Sequence, residues 1–252
     1  MKIQIIGVGV VGSAQAHLAS TLGHEVLGFD PGKTESPYAK MVKELDKRAD
    51  LTFICTPEAF ADSMILRLIR ENVKGLYVIK STVPPGTTKS LMAEHGIHIC
   101  HNPEFLRESK SFEDVTHPNF VAIGQCCPAH GQLLKDFYSP IGCPIIMSEP
   151  TTTETVKVTL NSYLATLITF WNEVDKVARA LGVKTADVAG IATREPRVSP
   201  YGAEFFGAPF GGKCLPKDLD CMIKTGHGVG VEPAFLEAVR DFNRKLANAN
   251  PV

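Results

Sequence analysis

The sequence has little of what would set it apart from ordinary globular proteins. None of its apolar runs approaches the ~20 residues that a membrane-spanning helix needs, so no membrane partner is expected. Net charge is almost absent, with 26 Lys and Arg against 27 Asp and Glu. That balance argues against a general polyanion binder, and no nucleic acid is expected as a partner. The N-terminus passes from a short apolar run straight into glycines, without the long apolar segment and cleavage site of a signal peptide. Internal repeats and low-complexity tracts are missing too. Seven cysteines, an odd number scattered over 252 residues, do not suit a disulfide framework and point to reduced thiols in a cytoplasmic protein. What is present is 44% apolar and 21% charged residues, enough to bury a core in one large domain or two small ones.

The order of elements predicts an α/β fold. Residues 2–6 read as a buried strand, Gly7-Val8-Gly9-Val10-Val11-Gly12 follows at once, 13–22 reads as a helix stopped by Gly23, and 25–29 is a second strand ending at Asp30. Strand, glycine turn, helix, strand and acidic residue is the order that a dinucleotide site requires. Gly7 permits the tight turn, Gly9 lets backbone approach a pyrophosphate, and Gly12 lets helix and strand pack closely. The helix start offers amides and a positive dipole end to phosphates, with Val10 and Val11 counted among the cofactor contacts. The Asp30 carboxylate suits both ribose hydroxyls and repels a 2′-phosphate, which favours NAD over NADP, although Lys33 stands close by.

Further strands are predicted at 51–55, 76–80, 97–100, 120–124 and 144–147, with helices at 58–71, 87–95 and 128–138 between them. Such alternation gives a doubly wound (Rossmann), mostly parallel sheet. Ligands in such sheets lie beyond the carboxyl ends of strands, where Thr56, Ser81, Thr82 and Glu104 fall. After Pro150 the pattern changes to one long helix, 151–181, with an apolar series at Val156, Leu160, Tyr163, Leu164, Leu167, Trp171, Val174 and Ala178. That stripe must be buried within its own domain or on a second subunit. A short helix at 185–193, a loop at 196–209 and a terminal helix at 232–248 complete an all-α domain built on the long helix. Two domains are therefore expected: an NAD-binding domain at 1–149, and a helical domain at 150–252 that carries the catalytic cysteine.

The loop Pro209-Phe210-Gly211-Gly212-Lys213-Cys214-Leu215-Pro216-Lys217-Asp218 holds the strongest chemical signal. Its paired glycines let backbone approach a ligand. If a helix begins at Leu215, Cys214 stands at its N-terminus beside Lys213 and Lys217, and both features activate a thiol. The other cysteines, Cys55, Cys100, Cys126, Cys127, Cys143 and Cys221, read as small buried side chains. Lys157 and Asn161, four apart on the long helix, share a face and are suited to stabilising an oxyanion. His98 and His101 fall on opposite faces of a strand with no further ligand set in view, so no metal is expected.

On these residues the chain resembles the UDP-glucose/GDP-mannose dehydrogenase family. The matching segments are Gly7-x-Gly9-x-x-Gly12, Ser81-Thr82-Val83-Pro84-Pro85-Gly86-Thr87-Thr88, Asn102-Pro103-Glu104-Phe105-Leu106-Arg107-Glu108, Lys157-x-x-x-Asn161 and Phe210-Gly211-Gly212-x-Cys214-Leu215-Pro216-Lys217-Asp218. The resemblance implies a double oxidation of a sugar-nucleotide alcohol to a carboxylate with two NAD. By the same resemblance Cys214 captures the aldehyde, while Lys157, Asn161 and Asp218 surround the reacting oxygen. Thr82 positions a water near the nicotinamide, and Glu104 helps hydrolyse the thioester. The backbone from Glu104 through Phe105 to Leu106 contacts the sugar, as does Gly211, and Glu108 lies close to the nicotinamide. Arg197 corresponds to the arginine sent into the neighbouring subunit's site, at a spacing to Cys214 one residue longer than usual. A homodimer through residues 151–181 is implied as well. Two departures stand out: the stretch from Asp30 to Asp50 is short, and family members continue into a second doubly wound, nucleotide-binding domain that this sequence lacks. Single-step oxidation of a small hydroxy acid and NAD binding without turnover are the alternatives; the first needs no nucleophilic cysteine.

Overall fold

The computed structural model describes residues 1–249. The chain divides into two compact units, Met1–Lys157 and Val158–Val252; the sequence pattern changes eight residues before that division.

The first unit alternates strands and helices as β1 (Lys2–Ile6), α1 (Val10–Thr21), β2 (Glu25–Phe29), β3 (Lys40–Met41), β4 (Leu51–Ile54), α2 (Glu58–Arg70), β5 (Leu76–Ile79), α3 (Thr87–His95), β6 (Ile99–His101), α4 (Ser111–Thr116), β7 (Val121–Gly124), α5 (Pro128–Tyr138) and β8 (Ile145–Ser148). The strands form one sheet in the order β3-β2-β1-β4-β5-β6-β7-β8. Every pairing is parallel except β6 with β7, which meet antiparallel at His101 and Gly124.

Neighbouring residues on each central strand enter opposite cores, as the two-residue pleat demands. Ile5, Phe53 and Val78 pack with Ala14, Leu18, Val115, Leu134 and Phe137 from α1, α4 and α5. Ile6, Ile54 and Ile79 pack on the other face with Ile65, Leu68 and Leu91 from α2 and α3. The strand order reverses between β1 and β4, the crevice where doubly wound folds bind their ligands.

A single helix, α6 (Pro150–Ala180), begins in the first unit and runs through the second, followed by α7 (Thr185–Ala192), α8 (Leu215–Gly228) and α9 (Ala234–Ala249). Ala165 and Ile168 of α6 pack with Phe210, Leu219, Ile223 and Val239, and Trp171 packs with Ala189 and Ala203. Gly202 lies against α6 so closely that a Cβ there would stand 2.4 Å from the Leu167 carbonyl oxygen.

Several sequence expectations need correction. The first helix starts at Val10 rather than residue 13, because Gly9 serves as its N-cap. The apolar stripe on α6 is only partly buried. Trp171 and Ala178 are covered, whereas Leu160 and Tyr163 are exposed, as are Phe170, Val177 and Leu181 outside the expected series. Inward positions are shared between the apolar Val158, Ala165 and Ile168 and the polar Ser162, Thr169, Asn172 and Asp175, whose side chains bond within the unit. Among the described residues no helix is long and apolar enough to cross a membrane.

Candidate active site

The glycine turn after β1 lies in the crevice. Gly7 adopts φ 83°, and a Cβ there would stand 2.8 Å from the Cys55 carbonyl oxygen. At Gly12 a Cβ would stand 1.8 Å from the Gly7 carbonyl oxygen, which no other residue can satisfy, whereas Gly9 faces open space. Val10 at the helix start is 43% exposed. The Asp30 carboxylate accepts hydrogen bonds from the Val8 and Gly32 amides, both at 2.8 Å, which fixes it at the end of β2. Thr56, just beyond β4, has a buried hydroxyl oxygen with no hydrogen-bond partner. An open glycine at a helix N-terminus, an anchored carboxylate and an orphaned hydroxyl fit a dinucleotide.

The segment after β5 is pinned from α6. Buried Glu154 accepts from the Gly86 amide at 2.6 Å, the Thr88 amide at 2.8 Å and the Thr88 hydroxyl at 2.5 Å. Burial raises its carboxyl above the ordinary range, and the three donors oppose that shift. Ser81, expected to touch the cofactor, donates its hydroxyl to the carbonyls of Ile54 and Thr56, which ties the segment after β5 to the end of β4. Thr82 is half-buried beside it.

Beyond β6, Glu104 accepts from Lys157 at 2.9 Å and from the Leu106 amide at 2.8 Å; the ion pair is almost wholly buried. The Lys157 ammonium also lies 5.8 Å from the Phe105 ring centre. A cleft of about 330 Å³ is lined by Glu104, Phe105, Leu106, Lys80, Asn102 and Phe120, among others. Glu108 is exposed on a single helical turn.

In the second unit, Cys214 is exposed and caps α8. Gly211 and Gly212 before it leave open space, and Gly212 has φ 73°. One turn on, Asp218 is 1% exposed and accepts from the Asn161 side-chain amide at 2.5 Å. Lys217 stands 2.6 Å from Asp218 Oδ1 as an ion pair, but no donor is aligned for a hydrogen bond to that oxygen. Arg197 is 87% exposed and bonds Glu195 at 2.7 Å; it does not join Asn161 and Asp218.

The fold thus brings Glu104 to Lys157 and Asn161 to Asp218. Lys157 and Asn161 sit one turn apart on α6, each held by a carboxylate.

Two buried groups, Lys80 and Glu154, escaped the sequence reading, and a third, His101, entered it only as a metal ligand set aside. Lys80 donates to Asn102 Oδ1 at 2.8 Å, and burial brings its ammonium down to about 8. Its signal was a lysine ending an apolar strand. His101 bonds Thr153 at 2.8 Å, and burial depresses it to about 3. Glu154, masked by its place in a regular helix, gave no signal. One more group emerged that had not been anticipated. His98, Cys126, Cys127 and His130 bring four potential ligand atoms within 4.8 Å of one another.

A glycine cradle at the switch point of a parallel sheet, with an anchored carboxylate at the end of β2, defines an NAD-binding protein. Comparison with known proteins extends this. Residues 37–142 match the profile of the UDP-glucose/GDP-mannose dehydrogenase family, NAD binding domain, and residues 151–245 match its central domain. The chain belongs to this family of nucleotide-sugar dehydrogenases, and its cofactor is NAD. It is 27% identical to a GDP-mannose 6-dehydrogenase of Pseudomonas syringae over 96% of this chain and 68% of the relative. It is 30% identical to the structure of a UDP-glucose dehydrogenase from Pyrobaculum islandicum, with TM-score 0.85, over 97% of this chain and 68% of that one. The fold alone is shared with a Mycobacterium tuberculosis 3-hydroxyisobutyrate dehydrogenase, at 17% identity and TM-score 0.77, over 98% of this chain and 94% of that one.

Proposed function

We propose that this chain performs the two-step oxidation of a nucleotide-sugar C6 alcohol to the uronate, with UDP-glucose as the substrate of first choice. The observation that carries the reading is an exposed thiol at the N-terminus of α8, one turn before a buried Asp218 that holds Asn161. NAD supplies the hydride acceptor, once for each oxidation. The C6 hydroxyl first gives up its proton and a hydride to become the aldehyde. The Cys214 thiolate, favoured by the helix N-terminus, then attacks the aldehyde carbon to form a thiohemiacetal. Loss of a second hydride from that carbon leaves a thioester. Water cleaves the thioester, releasing the carboxylate and returning the thiol.

Lys157 and Asn161 are assigned to stabilise charge on the reacting oxygen. Asp218 is assigned to proton transfer through water. Thr82 holds a water, and Glu104 assists thioester hydrolysis. Gly7, Gly9, Val10, Val11, Gly12, Asp30, Thr56, Ser81 and Glu108 are assigned to NAD. Phe105, Leu106, Gly211 and Arg197 are assigned to the sugar nucleotide, Arg197 from a partner subunit. The partner would be a second copy seated on the apolar face of Phe170, Val174, Val177 and Leu181, a groove of about 280 Å³. The odd cysteine count favours the cytoplasm.

The test is NADH formation with a panel of UDP- and GDP-sugars at saturating concentration. Two NADH per UDP-glucose in the native chain, with Cys214→Ser losing at least ~10³-fold in rate to the uronate, is the expected result. One NADH per substrate, unaffected by Cys214→Ser, would instead identify a single-step hydroxy-acid dehydrogenase, and NAD binding without turnover would sink both readings.

A further inference from the structure

We propose that His98, Cys126, Cys127 and His130 form a structural zinc site. The sequence hides it because the four come from two separate segments. They meet through the one antiparallel pairing of the sheet. His101 of β6 stands opposite Gly124 of β7; three residues back along one strand and three forward along the other bring His98 level with Cys127. Cys127 is the N-cap of α5, and His130 lies in that helix's first turn. The site thus sits at the amino ends of the parallel strands, away from the carboxyl-end crevice that holds the cofactor turn.

The geometry suits a tetrahedral cation. His130 Nδ1 lies 3.2 Å from Cys126 Sγ and 3.4 Å from Cys127 Sγ. The His98 and His130 rings are 4.9 Å apart, inclined at 73°, and all four ligand atoms fall within 4.8 Å of one another. Zinc bonds of ~2.3 Å to sulfur and ~2.0–2.1 Å to nitrogen place tetrahedral ligand atoms roughly 3.3–3.8 Å apart. Two contacts are close to that spacing, and with every ligand atom within 4.8 Å of the others the remaining pairs need at most a small contraction; all but the Cys126–Cys127 pair can be closed by the exposed His98 side chain. The chemistry agrees. Two thiolates cancel the charge of a divalent cation, two neutral imidazoles complete the shell, and soft sulfur with nitrogen selects zinc over magnesium or calcium. The positive end of α5 further favours the thiolates. Four protein ligands leave no open position, so the site ties the start of β6 to the β7–α5 turn and performs no chemistry.

Buried Cys100, whose Sγ lies 3.6 Å from Cys126 Sγ, offers the competing outcome of a disulfide. The experiment is therefore run on the full chain under a non-chelating phosphine reductant, after stripping metal with a chelator and removing the chelator. Cobalt(II) is then titrated and displaced with zinc(II). We expect one cobalt per chain, thiolate-to-cobalt charge transfer, the strong visible bands of a tetrahedral ion, and the same result in Cys214→Ser. Cys126→Ser and Cys127→Ser should each weaken binding by at least ~100-fold, and the exposed His98→Ala by roughly 10-fold with unfolding of the metal-free protein unchanged. Three results would overturn the proposal: no tetrahedral cobalt spectrum while thiol titration finds Cys126 reduced, a signal that survives the double cysteine variant, or a Cys100–Cys126 disulfide that persists in the reductant.

Discussion

The two units bury their apolar side chains to different extents. The first encloses both faces of its sheet, so that Phe53 and Ile54, neighbours in sequence, are each completely buried in different cores. The second turns serine, threonine, asparagine and aspartate of α6 inward and leaves Phe170, Val177 and Leu181 outside, at 56%, 56% and 72% exposure. Spacings of seven and four residues put these three on one side of the helix. Its inward face mixes these hydrogen-bonding groups with the apolar Ala165, Ile168 and Trp171, while its outward face carries uncovered hydrocarbon.

The sharpest way to break this contrast is the buried pair of the first unit. Lys157→Met leaves Glu104 without its cation inside the protein, and we expect a loss of about 3–5 kcal/mol in unfolding free energy. Adding Glu104→Leu should recover much of it. A loss below about 1 kcal/mol in denaturant titration would show that the pair is solvated.

A smaller effect is graded by pH. His101 is held near 3 by burial against an ordinary value of 6.5, so the unfolded chain takes up its proton first as pH falls. Its stabilising contribution is complete above 6.5 and is lost progressively towards 3, by at most about 1.4 kcal/mol per pH unit. Unfolding free energies between pH 6 and pH 4 should flatten by up to that slope in His101→Gln; an unaltered slope would assign the dependence elsewhere.

The smallest change in the chain's own stability, within about 0.5 kcal/mol, is expected for Phe170→Glu, because the ring already faces outward. The same substitution should convert a sedimenting dimer to a monomer. A native chain that sediments as a monomer would remove the contrast.

Much of the first unit was legible in the sequence. Its strands are short apolar runs closed by glycine, proline or a charged residue, and Gly7, Gly9 and Gly12 bear conformational demands that few other patterns share. The antiparallel β7 was not legible, since a four-residue apolar run has the same composition in either direction. Nor was the inward face of α6: an apolar series at spacings of three and four marks a stripe without saying whether the chain itself covers it. In the active-site region, the Cys214–Asp218 segment announced itself through its glycines. Lys80, His101 and Glu154 did not, because their significance depends on burial by residues distant in sequence.

The hydrogen bonds around Asn102 carry a last consequence. This asparagine is 1% exposed; its Oδ1 receives Lys80 and Tyr138, and its Nδ2 donates to the Ala122 carbonyl. Asparagine ages when the next residue's backbone nitrogen attacks the side-chain amide and ammonia departs. Here the next residue is Pro103, which has no N–H to give up. The junction linking β5, β7 and α5 is thus protected from slow chemical decay by its own neighbour, and peptide mapping of long-stored protein should find residue 102 still an amide.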